Sequence, residues 1–171
     1  MELKEIKKED FPKIYEEMTK AFPKEEIRDK EDALAVLSDS RFKIFHTVED
    51  GVNIGFITMW DLGDFTFLEH FVTYPENRCK GYGRRVIELI KEAFGNLLLE
   101  CEHPIGEMPE RRFKFYESCG FKANDHPYVQ PSYRKGGEGV PLVLMTYPKE
   151  LTDKEGTVKK LYREVYGKEK E

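Results

Sequence analysis

The stretch from Phe65 to Phe94 constrains the fold of this chain more than any other. The run FTFLEHFVT is apolar on both faces of an extended strand and is interrupted only by Glu69 and His70, so it is expected in the middle of a sheet. It passes through YPENRCKGYGRR to VIELIKEAF, where Val86, Ile87, Ile90, Ala93 and Phe94 recur at helical spacing until Gly95-Asn96. Between strand and helix lie two glycines and four cations.

The other elements mix α and β. LKEI reads as a short strand, and Asp10 is expected to cap a helix carrying Phe11, Ile14, Tyr15, Met18 and Phe22, with Pro12 tolerated in its first turn. A second helix runs from about Asp29 to Leu37. From Phe42 the period becomes two, and Glu49-Asp50-Gly51 turns the chain into Val52, Ile54 and Phe56, which predicts an antiparallel hairpin. Leu97-Leu98-Leu99 opens a further strand, Pro109 to Cys119 reads as a helix with Gly120 as its C-terminal cap, and PLVLMTY reads as the last strand. The segment 122–139, rich in Gly, Pro and Tyr, must turn more than once.

Residues 1–171 have the length of a single domain, within which 150–171 form a C-terminal amphipathic helix (Val158, Leu161, Tyr162, Val165, Tyr166) and a charged tail. The apolar stripe of that helix would suit a homodimer. With 36% charged residues and no long apolar run, no membrane partner is expected. The first residues lack a secretory apolar core, which suggests the cytoplasm. A net charge of -5 argues against a nucleic-acid partner and mildly favours a cationic substrate. Cys79, Cys101 and Cys119 form neither a disulfide framework nor a zinc knuckle and read as thiols.

A glycine-bearing turn that opens a helix presents unpaired N–H groups at the positive end of the helix dipole, which favours an anion. Gly81 and Gly83 let the main chain approach a ligand closely, and Arg78, Lys80, Arg84 and Arg85 add charge, so a pyrophosphate fits. The alternative is a tight turn with solvated cations. Val86 stands where a dinucleotide-binding loop has its third glycine, and the lysine and hydroxyl residue of a nucleoside-triphosphate loop are missing.

The block YPENRCKGYGRR resembles motif A (Q/R-x-x-G-x-G/A) of the GNAT superfamily of acetyl-CoA-dependent N-acetyltransferases through Arg78, Gly81 and Gly83, with Pro75 three residues upstream. A second block, RFKFYESCGF, is similar to that family's motif B through Tyr116, Gly120 and Phe121. The likeness spans roughly residues 3 to 147. It implies a GNAT-like α/β (α+β) fold with a mixed, mostly antiparallel central sheet flanked by helices. It also implies acetyl-CoA as co-substrate, its pyrophosphate held by Arg78, Cys79, Lys80, Gly81, Tyr82, Gly83 and Arg84 and its pantetheine arm along a strand splayed from its neighbour near Phe71 and Thr73. Where relatives often carry Asn seven residues before the tyrosine, this chain has Pro109.

Acetyl transfer to an amine needs a base and a proton donor for the departing thiolate. Strand parity places Glu69 with Phe67, Phe71 and Thr73, and a carboxylate among aromatics should have a raised pKa suited to a base; the alternative is a buried Glu paired with Lys or Arg. The match to motif B makes Tyr116 the candidate acid, the alternative being a core tyrosine. Glu100 and Glu102 share a strand face, and either could bind a cationic amine or act as the base. Tyr128, Tyr133 and Gln130 are candidate contacts on the rim of the acceptor pocket. A Cys101–His103 dyad and a metal cluster of His70, Glu100, Glu102 and His103 lack an orienting group and a recognisable ligand spacing, so no metal is expected.

The function implied is direct transfer of acetyl from acetyl-CoA to a primary amine of a small molecule or peptide. The alternative is a catalytically silent acyl-CoA-binding sensor or partner-binding module.

Overall fold

The computed structural model describes residues 1–169, so the last two residues of the charged tail lie outside it. Along the chain come β1 (Glu2–Glu5), α1 (Phe11–Ala21), α2 (Lys30–Val36), β2 (Phe42–Glu49), β3 (Val52–Asp61), β4 (Thr66–Thr73) and α3 (Tyr82–Phe94). They are followed by β5 (Leu97–Glu102), α4 (Glu107–Ser118), β6 (Lys122–Ala123), β7 (Tyr128–Gln130), β8 (Val140–Tyr147) and α5 (Lys154–Glu164). The described strands form one sheet in the order β1-β2-β3-β4-β5-β8-β6, with β7 also paired to β8. Among the described strands, only β4 and β5 run parallel.

The doubly apolar run is the central strand β4, as its pattern required. On one side of the sheet, Val86, Ile87 and Ile90 of α3 and Tyr116 of α4 pack over Leu68, Leu97 and Leu99. On the other, Val158, Leu161 and Val165 at the C-terminal helix cover Phe67, Leu98 and Leu144, while Phe11, Ile14 and Met18 of α1 cover Ile44, Phe56 and Val72. The C-terminal stripe is thus used within the chain and no longer supplies a surface for a homodimer. Asp50 (φ 49) and Gly51 (φ 77) form the two-residue loop between β2 and β3, both left-handed as a hairpin turn of this length requires.

One local reading is corrected. Asp10 makes no side-chain capping bond, because it ends a 3-10 turn with helical backbone angles; Asp29 does cap α2, accepting from the Asp32 N–H at 3.0 Å. Within the segment 122–139, whose turns were expected, the chain also forms the short strands β6 and β7, both bonded to β8.

Two features of β4 shape the centre of the molecule. Its pairing with β5 is confined to Thr66, Phe67 and Leu68 opposite Leu97, Leu98 and Leu99, after which the strands part. On the β3 side, the register shifts: Leu68 faces Met59 and His70 faces Thr58, so Glu69 is the extra residue of a bulge. The bulge reverses the alternation. Phe67 packs toward α5, but Phe71 joins Leu68 on the side of α3 and α4.

Candidate active site

The parting of β4 and β5 opens a cleft of about 490 Å³, lined among others by Glu69, Phe71, Thr73, Glu100, Glu102 and Tyr116. Beside it, α3 starts from a loop in which Cys79 (φ 59) and Gly81 (φ 78) are both left-handed. None of the N–H groups from Cys79 to Arg84 has an acceptor among the described residues, and the first bond of the helix runs from Arg85 N to Gly81 O. Successive free amides with a helix dipole behind them make an anion-receptive concavity. A Cβ at Gly81 would meet nothing within 4 Å, but the left-handed backbone itself favours glycine. A Cβ at Gly83 would lie 3.4 Å from Phe115 Cζ and 3.9 Å from Phe71 Cζ, so the loop, β4 and α4 meet there.

Three of the four cations of the loop have separate partners. Arg84 donates to the carbonyl and hydroxyl of Ser118 (2.9 and 2.7 Å), Arg85 pairs with Glu49 (2.6 Å) and lies over the ring of Tyr82, and Arg78 Nε donates to the Thr73 carbonyl (3.1 Å). Lys80 is exposed and has no partner among the described residues.

Glu69 does not behave as its strand parity suggested. As the bulge residue it turns away from Phe71 and faces Arg28, in the loop between α1 and α2, whose Nη1 donates to Oε1 at 2.6 Å. Tyr133 also donates to Oε1 (3.0 Å) and Thr58 to Oε2 (3.3 Å). Burial alone would raise its pKa; the charge of Arg28, the neighbouring His70 and the Arg28 hydrogen bond together outweigh burial and hold the carboxyl well below the usual range, opposite to the expected rise. The pairing with a buried cation is therefore the reading that holds. Arg28 is buried too, donates its Nη2 to the Val165 carbonyl (2.8 Å), and lies over the Tyr133 ring at 4.6 Å.

Glu100 has a different environment. Gln130 Nε2 donates to Oε2 at 2.8 Å, Tyr166 OH lies 2.8 Å from both oxygens, and Tyr128 OH donates to Oε1. All of these donors are neutral. Burial pushes its pKa up, the donors oppose the rise in part, and the result is about 7. The buried Tyr128 and the half-buried Tyr133 are therefore not rim residues but partners of the two carboxylates. At the mouth, Glu102 pairs with Arg112, and burial raises the half-buried Glu26 carboxyl, with Glu102 adding to the rise.

Tyr116 projects from α4 into the same cleft, its ring packed edge-on against Phe115 and Phe121. Burial raises its pKa, so the phenol is protonated at neutral pH. Pro109 occupies the first turn of α4, where a missing N–H costs nothing. Cys101 is buried and pushed up to about 11 by that burial, while His103 is exposed, so the thiol-imidazole pairing fails. Arg28 and Tyr166 were absent from the sequence candidates. Tyr166 read as part of an apolar stripe, and nothing beside Arg28 in the sequence announces its partner.

A family profile described as "Acetyltransferase (GNAT) domain" matches residues 40–123. A solved structure from Bacteroides thetaiotaomicron, assigned to the GNAT family of acetyltransferases, is 35% identical over 98% of this chain and 99% of its own, with a TM-score of 0.91. The chain belongs to the GNAT family. Its fold is shared more distantly with the ribosomal-protein-S18-alanine N-acetyltransferase of Escherichia coli (21% identity, 90% of this chain and 97% of that one, TM-score 0.58). An acetyltransferase of Thermus thermophilus is similar at 15% identity over 86% and 96% of the two chains, with a TM-score of 0.61. A comparison with curated protein sequences finds no match. As a GNAT protein the chain is an acyl-CoA-dependent acetyltransferase. Among the described residues, no helix is long and apolar enough to cross a membrane.

Proposed function

We propose that this protein transfers the acetyl group of acetyl-CoA directly to a primary amine of a small molecule or peptide, with Glu100 as base and Tyr116 as acid. The observation that carries this reading is the placing of Glu100, whose pKa of about 7 suits a base, in the cleft that also holds the protonated Tyr116. The amides from Cys79 to Arg84, with Lys80 beside them, would hold the pyrophosphate of acetyl-CoA. The β4 edge near Phe71 and Thr73, freed where β5 departs, offers main-chain groups to its amide-bearing arm.

Glu100 takes a proton from the incoming amine, whose nitrogen forms a bond to the acetyl carbonyl carbon. The carbon–sulfur bond then breaks, and Tyr116 OH gives its proton to the departing sulfur. Glu69, committed to Arg28, anchors the site and does not take up that proton. Carboxylates from Glu26, Glu100 and Glu102 border the acceptor side and suit a substrate that arrives as an ammonium ion.

Thiol release from acetyl-CoA, assayed against diamines, polyamines, aminoglycosides, amino acids and peptides with a free N-terminus, tests the reading. Tyr116→Phe should lower kcat by about 10²-fold while leaving acetyl-CoA binding unchanged. Binding of acetyl-CoA without turnover of any amine would favour a silent acyl-CoA-binding module instead. Gly81→Ala should weaken acetyl-CoA binding by about tenfold in calorimetry, because the variant loop relaxes when empty and must be strained back by ~1–2 kcal/mol on binding.

A further inference from the structure

All the donors to Glu100 come from residues 128 to 166, beyond the segment 40–123 that the family profile matches. The end of α5 is fastened to the cleft at several points. The Val165 carbonyl accepts from Arg28, Tyr162 OH donates to the Val129 carbonyl, and Lys168 Nζ donates to the Ser132 carbonyl at 2.5 Å. Tyr166 stands between the two buried carboxylates: its hydroxyl reaches Glu100, and its ring lies 5.0 Å from that of Tyr133, the donor to Glu69. Packing alone would be met by a phenylalanine at 166. The hydroxyl, equidistant from both oxygens of one carboxylate and also accepting from Gln130 Nε2 at 3.2 Å, requires a further reason.

We propose that Tyr166 is a positioning residue for acetyl transfer, through which the C-terminal segment holds the Glu100 carboxylate in place and favours its charged form. The inference rests on Glu100 acting as the base. Tyr128 and Gln130 face Glu100 from β7, Tyr166 and Tyr162 from the C-terminal segment, and Tyr133 from the loop before β8; Glu69, with Arg28 behind it, faces it from β4. Of these, Glu69 opposes ionisation of Glu100, while the Tyr128, Tyr166 and Gln130 donors favour it. A donor to a carboxylate stabilises the anion, so removing one raises the pKa of the group.

Tyr166→Phe keeps the ring and removes the hydroxyl. With the most active amine of the panel, the acidic limb of kcat/KM against pH should move up by roughly one unit, the equivalent of one hydrogen bond to a charged group. The rate at pH 7 should fall several-fold and recover at pH 9, with acetyl-CoA binding unchanged. Comparing both proteins on the same amine cancels the titration of the amine. Replacing Tyr166 with 3-fluorotyrosine keeps the hydroxyl but makes it a stronger donor, and should move the limb the other way. Carboxyl-carbon NMR of Glu100, identified through Glu100→Gln, reads the same shift without turnover. A rate loss equal at every pH, or an unmoved Glu100 resonance, overturns the role of Tyr166 while leaving the proposed reaction standing. An active Glu100→Gln overturns the choice of base even if the resonance of Glu100 moves in Tyr166→Phe.

Discussion

Glu100→Gln is expected to lower kcat by about 10²–10⁴-fold, the range over which a positioned base contributes to proton transfer. Gln is nearly isosteric with the carboxylic acid and can still bond to Tyr128 and Tyr166, so folding should be preserved and the loss should lie in chemistry. In the wild type, activity should rise as Glu100 loses its proton near pH 7, since only the ionised form accepts one from the amine. The variant should lose that limb and keep only the dependence due to the amine. Calorimetry with acetyl-CoA should give the same affinity for both proteins, because the amide loop at Cys79 to Arg84 is untouched. A variant within a few-fold of wild type, with its acidic limb in place, would remove Glu100 from the mechanism. In the same assay, Glu69→Gln separates the two carboxylates. Any rate loss there should accompany a loss of stability, because Glu69 is bound to Arg28.

The second large effect concerns that pair. Arg28→Met leaves Glu69 buried without its cation and should cost about 3–5 kcal/mol of stability. For a chain of this size, that corresponds to a fall of roughly 10 °C in Tm. The sign with pH follows from the carboxylate. The folded-state pKa of Glu69 lies below its unfolded value, so the pair's contribution is complete above the ordinary carboxyl range and is lost as pH falls through that range toward the folded pKa. The gap between wild type and variant should therefore be widest at neutral pH and should narrow on acidification. The double change Arg28→Met with Glu69→Leu removes both charges and should regain much of the loss, as apolar replacements of buried pairs often do. A single variant that melts with the wild type at pH 7 would show that the pair adds no stability.

Much of the architecture could be read from local pattern. The doubly apolar run became the central β4, the alternating stretch from Phe42 became a hairpin, and the helical stripe after Gly83 became α3, because each pattern reflects a periodicity of the backbone itself. The loop was legible for a related reason: glycines, cations and a helix start occur within a few consecutive residues, and amide exposure at a helix N-terminus is a local property. Tyr116, which the fold places in the cleft, was singled out by its place in a short motif.

Glu69 shows where such reading ends. One extra residue in β4 reverses the alternation, and a bulge is set by pairing with β3 rather than by the strand's own composition. The partner of Glu69 lies 41 residues away, the Arg28 bond to Val165 spans 137, and the Tyr166 bond to Glu100 spans 66. Residues alone specified helices, strands and an anion-receptive turn, since these depend on neighbours in the chain. Which of two buried carboxylates keeps its charge, and which sits near neutrality, was settled by the packing of distant segments. An ionisation equilibrium responds to the burial, charges and donors around it in space, and here the folded sheet brings those together from both ends of the chain.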